Sequence, residues 1–115
     1  MINSRSKGAR GEIMWRDMLR THFKCQDAER GCQCSGSIDS PDVKNGIPGT
    51  HCEVKYTEKL NLSKAMLQAI TDSQSNTVDL VPYVASRKKG EQWLVTIPAT
   101  QLLQFCRNLV NHIDT

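Results

Sequence analysis

Asp42, preceded by Pro41, and the triplet Glu53, Val54 and Lys55 place two carboxylates and one ammonium in a stretch that can fold back on itself. Asn45-Gly46 and Pro48-Gly49 lie between them as turn signals, Val43 ends a short strand, and residues 51–57 alternate as a strand does. Period-two geometry sends Cys52, Val54 and Tyr56 to a core-like face and His51, Glu53 and Lys55 to the other. Glu53 and Lys55 then stand about 7 Å apart along the strand, and a hairpin returns Asp42 to the same end. Such a group suits a hard divalent cation, because Mg²⁺ takes oxygen ligands, commonly one or two carboxylates with waters and phosphate oxygens. The Val54 carbonyl would complete the protein's share. The cation would acidify a water and draw charge from phosphoryl oxygens, while Lys55 would orient that water or stabilise the transition state. The corresponding reaction is phosphodiester hydrolysis. Read alone, alternating Glu and Lys also describes a surface ion pair worth about 0–1 kcal/mol; Pro41-Asp42, the turn-bearing spacer and a preceding acid-bearing helix favour the site.

That helix is predicted over residues 7–23, where Ile13, Met14, Trp15, Met18, Leu19 and Phe23 recur at helical spacing. Glu12 sits in its first turns, on one stripe with Trp15 and Leu19. It reads either as a third carboxylate for the site or as a glutamate complementing the helix dipole. Gly8 and Gly11 each weaken the helix by about 1 kcal/mol relative to alanine, which implies a close backbone approach or a late helix start. The polar face is basic, with Arg5, Lys7, Arg10, Arg16, Arg20 and Lys24 against Glu12 and Asp17. That imbalance predicts a surface facing a polyanion.

The remaining elements must hold these parts in place. Residues 25–40 are mixed and rich in small side chains, predicting a short strand and then a loop around Ser35, Gly36 and Ser37. A helix is predicted over residues 62–73, capped by Asn61, with Leu62, Met66, Ala69 and Ile70 facing the core. Strands over residues 79–86 and 92–97 flank a basic turn at residues 87–90. Pro98 then opens a last helix carrying Leu102, Leu103, Phe105, Cys106 and Leu109. The order α-β-β-β-α-β-β-α fits an α/β fold, a mixed central sheet flanked by helices.

The chain has 115 residues, the size of one domain spanning 1–115, and its 38% hydrophobic and 23% charged composition is that of a globular protein. A net charge of +3 does not itself define a partner. No apolar run approaches the roughly 20 residues that span a bilayer, and no secretory signal follows the basic start, so the expected location is the cytoplasm, with no membrane partner. Five cysteines, an odd number, fit reduced thiols. Cys25, Cys32 and Cys34, with Cys52 or His51 as fourth ligand, were they to hold zinc, lack the two close ligand pairs usual in structural sites.

Pro41-Asp42 followed by Glu53-Val54-Lys55 resembles the PD-(D/E)xK pattern of restriction-endonuclease-like nucleases. Ser4 to Glu12, S-R-S-K-G-A-R-G-E, resembles the opening of archaeal-type (Hjc-like) Holliday-junction resolvases. The likeness is greatest to small phage-encoded members, through "SGSIDSPDV" and "EVKYTEKLNLSKAMLQA", and is densest from Ser4 to Gln68. It implies a restriction-endonuclease-like core in a homodimer that cuts four-way DNA junctions with Mg²⁺, for which Mn²⁺ can substitute. By position, Glu12 would be the helix-borne acid, Asp42 and Glu53 the metal ligands and Lys55 the catalytic lysine. Ser35 or Ser37 would lie near the scissile phosphate, and Gln68 on the following helix would face DNA. Cys25, Cys32 and Cys34 fall outside the family's pattern, and Tyr56 stands where a basic residue is expected.

For DNA binding, Arg5, Lys7, Arg10, Arg16 and Arg20 would neutralise phosphates, which positions a duplex without reading its sequence. Arg87, Lys88 and Lys89 would add a second contact area or merely solubilise. Two other readings stand beside the resolvase: a nuclease of the same fold acting on other DNA in repair, nicking or restriction, and a non-catalytic DNA-binding module.

Overall fold

The computed structural model describes residues 4–31, 41–74 and 78–114, with side chains from residue 7 onward. Its elements run α1 (Ser4–His22), β1 (Glu29–Arg30), β2 (Val43–Lys44), β3 (Thr50–Tyr56), α2 (Leu62–Ser73), β4 (Val81–Arg87), β5 (Leu94–Thr96), a short 3₁₀ turn (Ala99–Gln101) and α3 (Leu102–Ile113). This is the order read from the sequence. The architecture is α/β, with a mixed sheet of order β3-β4-β5 flanked by helices: β3 runs parallel to β4, and β4 antiparallel to β5.

A parallel neighbour requires a crossover, and α2 supplies it. One sheet face buries Cys52, Val54, Val81, Tyr83 and Ala85 with Trp15 and Leu19 of α1 and Phe105 of α3. The Trp15 indole N–H donates to the Tyr83 hydroxyl at 3.1 Å, satisfying both polar tips inside the core. The other face packs Val84 against Ala65 and Ala69 of α2. β4 is therefore covered on both sides, as a near-continuous apolar run in a parallel arrangement should be.

Several expectations change. α1 begins at Ser4, so Gly11 does not mark a late start: a Cβ there would stand 2.7 Å from Tyr56 Cβ, and the glycine lets α1 lie against β3. The β2–β3 hairpin does not form a ladder. β2 pairs antiparallel with β1, Glu29 opposite Lys44 and Arg30 opposite Val43, and Asp42 N–H donates to Cys52 O at 3.2 Å as a bridge to β3. On α2 the buried positions are Ala65, Ala69 and Ser73, while Leu62 is 40% exposed; small residues take the core stripe because the helix lies close on the sheet. β5 is shorter than predicted and its Leu94 and Val95 are exposed, and on α3 only Phe105 is buried while Leu102 and Leu103 face outward. Among the described residues, no helix is long and apolar enough to cross a membrane.

Candidate active site

β3 carries Glu53 and Lys55 on the α2 side of the sheet. The surface ion pair that alternating Glu and Lys also describes would leave this face open, yet Glu53 is 5% and His51 1% exposed. The crossover explains the difference, because α2 covers the face that an antiparallel hairpin would have left to solvent. Lys55 Nζ lies 3.5 Å from Glu53 Oε1, with the lysine side chain still 35% exposed.

Asp42 precedes β2 and is brought to β3 through its own side chain as well as its backbone. Its Oδ2 accepts a hydrogen bond from Val54 N–H at 2.8 Å, and its carbonyl accepts from Gly31 N–H at 2.9 Å. A Cβ at Gly31 would run into the Pro41 carbonyl, so glycine is required where β1 meets β2. Asp42 thus sits beside Glu53 at the margin of β3. Burial pushes its carboxyl up to about 6; the Val54 N–H opposes the shift, the Glu12 charge adds to it, and Lys55 opposes it. Glu53 is pushed up to about 7, by burial first and by the Asp42 charge second, against Lys55.

Glu12 faces the same cluster from α1, where its charge adds to the upward shift of Asp42. It is 8% exposed, and its Oε1 accepts a hydrogen bond from Arg30 Nε at 3.0 Å and lies 3.0 Å from Nη2 in an ion pair. Glu12 is thus buried and paired across elements, not displayed on the outer surface of α1. Four predicted residues, Glu12, Asp42, Glu53 and Lys55, are therefore gathered from α1, the segment before β2, and β3. Their oxygen-rich, desolvated and mutually repelling carboxyls form a donor set of the kind that a divalent cation stabilises.

Other predicted residues take different positions. Val54 is buried beside the site and acts through its N–H in the interaction with Asp42. Gln68 is exposed on α2, one turn before Asp72. Lys7 Nζ stands 5.2 Å from the Tyr56 ring centroid, a cation–π contact directly beyond Lys55, and Arg10 is exposed. Arg16 pairs with Asp17 at 2.9 Å, and Arg20 donates to Ala28 O at 2.9 and 2.6 Å, fastening the turn before β1. Arg5 lies on α1 with its side chain outside the described residues, and Ser35, Ser37, Cys32 and Cys34 lie wholly outside them. Cys25 Sγ is directed at Phe23 O, 3.4 Å away, and Cys52 Sγ at Val43 O, 3.4 Å away; both are free thiols, Cys52 with its pKa pushed up to about 12, chiefly by burial.

The sequence reading missed three contributors. Arg30, which holds Glu12, has no local signal beyond being a cation in a short strand. Alternation puts His51 on the Glu53 face but assigns it no role with carboxylates. Asp72 comes from the last turn of α2, and its ligand atom lies within 4.8 Å of those of His51 and Glu53. No sequence spacing predicts that contact, which exists only because α2 packs on β3.

No protein-family model matches the chain, and no curated protein matches it. Among solved structures, it is similar to that of Archaeoglobus fulgidus Hjc, a Holliday junction resolvase from an archaeal hyperthermophile, at 23% identity, covering 76% of this chain and 72% of that chain with a TM-score of 0.48.

Proposed function

We propose that the chain is a Mg²⁺-dependent, structure-selective DNA endonuclease that hydrolyses phosphodiester bonds in four-way junctions and so resolves branched DNA. The observation that carries this reading is the convergence of Glu12, Asp42, Glu53 and Lys55 from three segments of the chain, with Asp42 oriented by the strand bearing the other two. A surface ion pair would require neither the burial nor the third and fourth groups. The sequence likeness of Ser4 to Gln68 to phage-encoded resolvases of the PD-(D/E)xK type supports the same reading, with 1–115 acting as one restriction-endonuclease-like nuclease domain in the cytoplasm.

Asp42, Glu53 and the Val54 carbonyl would hold the cation, and Mn²⁺ would substitute for Mg²⁺. When bound, the cation supplies positive charge at a phosphoryl oxygen and acidifies a water. The chain's own groups do the rest. Lys55, partly open to solvent beside Glu53, donates to the attacking water or to the phosphoryl oxygen that gains charge. Val54 N–H fixes one Asp42 oxygen and leaves the other for coordination. Arg30 holds Glu12 toward Asp42 as the third carboxylate. Arg5, Lys7, Arg10 and Arg16 contact phosphates, Ser35 or Ser37 approaches the scissile phosphate, and Gln68 lies on the DNA side. A homodimer presents two such sites to the pseudo-twofold symmetry of a junction.

The test compares a synthetic four-way junction with linear duplex and forked DNA of the same sequence, in Mg²⁺ and in EDTA. Metal-dependent cutting of the junction in preference to linear duplex is expected. Equal cutting of linear duplex would move the assignment to a repair, nicking or restriction-like nuclease, and junction binding without cutting in any metal would leave a binding module.

A further inference from the structure

We propose that His51, Glu53 and Asp72 form a second cation site on the α2 side of β3, selective for zinc-type transition metals, which competes with the first site for Glu53. His51 and Glu53 are alternate residues on one face of β3, and Asp72 descends on them from the last turn of α2. Their ligand atoms all lie within 4.8 Å of one another. Atoms bound about 2 Å from a common ion lie at most ~4 Å apart, so side-chain adjustments of less than about 1 Å gather the set. The register places Pro82 opposite His51 and Val84 opposite Glu53, so β4 contributes no competing polar side chain there.

The chemistry of the donors separates the two sites. The Asp42 side offers oxygen only, the preference of Mg²⁺. The Asp72 side adds an imidazole, which suits Zn²⁺, Co²⁺ and their neighbours and leaves a position for water or a phosphate oxygen. The end of α2 reinforces the preference for positive charge, since its last carbonyls carry the negative end of the helix dipole. Glu53 is common to both sites and holds Lys55 at 3.5 Å, so an ion on the His51 side draws it away from Lys55 and from Asp42. On the nuclease reading, on which this last consequence rests, Zn²⁺ inhibits Mg²⁺-dependent cutting.

The test separates binding from activity. Calorimetric titration of the full chain with Zn²⁺ without DNA, and Co²⁺ titration followed by visible absorption, are expected to show one transition-metal ion per chain with nitrogen ligation. Asp72→Asn and His51→Gln are each expected to weaken it at least about a hundredfold, the upper end of what the loss of a supporting group costs at metal sites. Asp42→Asn is expected to retain it. Asp72 is only half buried, so Asp72→Asn keeps the measurement interpretable if His51→Gln fails to fold. Zn²⁺ affinity unchanged in Asp72→Asn, or a Co²⁺ spectrum without nitrogen ligation, overturns the site. Equal Zn²⁺ inhibition of cutting in Asp72→Asn and the parent chain overturns the competition for Glu53. Zn²⁺ binding through His51 and Asp72 in a protein that cuts neither junction, fork nor linear duplex in any metal would sink the nuclease reading and leave the site standing; Mg²⁺-dependent cutting without such binding does the reverse.

Discussion

Asp42 Oδ2 accepts the Val54 backbone N–H at 2.8 Å, so the carboxylate that would share a cation with Glu53 is aligned by the strand that carries Glu53. Asp42→Asn can keep that hydrogen bond through its amide oxygen while losing the charge. Cleavage of a four-way junction is expected to fall at least about a hundredfold, with junction binding and thermal midpoint nearly unchanged. Gel-based cleavage and binding assays with parallel thermal unfolding check this; a collapse of the midpoint would instead assign Asp42 a structural role.

Burial raises Asp42 to about 6 and Glu53 to about 7, above the ordinary carboxylate range. Between about pH 4 and 7 the folded chain therefore binds more protons than the unfolded chain. In EDTA, stability is expected to rise as pH falls through that window and to decline as pH climbs through the folded-state values. Saturating Mg²⁺ replaces the protons and should flatten or reverse the slope. Urea unfolding across this range, with and without Mg²⁺, gives the sign directly.

Arg30 and Glu12 form a pair that is largely buried at the carboxylate end, the side chains being 37% and 11% exposed. Arg30→Ala leaves a buried carboxylate without its partner and is expected to cost about 1–3 kcal/mol, discounted for the solvent that reaches Arg30. Cutting should fall as well, because Glu12 loses its orientation. Arg30→Lys restores charge without the two-nitrogen contact and is expected to recover stability better than activity. Chemical denaturation alongside cleavage rates would separate the two effects.

Gly8 and Gly11 share a helix and answer oppositely to alanine. Nothing lies within 4 Å of a Cβ at Gly8, so Gly8→Ala should stabilise by about 0.5–1 kcal/mol through helix propensity. At Gly11 the added Cβ would meet Tyr56 Cβ at 2.7 Å. The same propensity gain is then outweighed by a shift of α1 away from β3, carrying Glu12 with it. Gly11→Ala is expected to lower both the unfolding midpoint and the cleavage rate, and unchanged values for both would refute the packing role.

Local patterns determined much of this protein. Helical spacing marked Trp15 and Leu19 as one buried stripe, alternation on β3 separated Cys52 and Val54 from Glu53 and Lys55, and Asn61 marked the start of α2, where its side chain accepts from Lys64 N–H at 3.0 Å. Periodicity and capping are properties of a few neighbouring residues, so they can be read before any fold is known. Pairing is not such a property. That β2 joins β1 instead of β3, that β3 has a parallel neighbour, and that α2 therefore seals the face bearing Glu53 depend on contacts between distant segments. The candidate site divides in the same way: the spacing of Asp42, Glu53 and Lys55 pointed to a metal-using carboxylate cluster, whereas the Arg30 clamp on Glu12 and the approach of Asp72 to His51 arise only when whole elements dock.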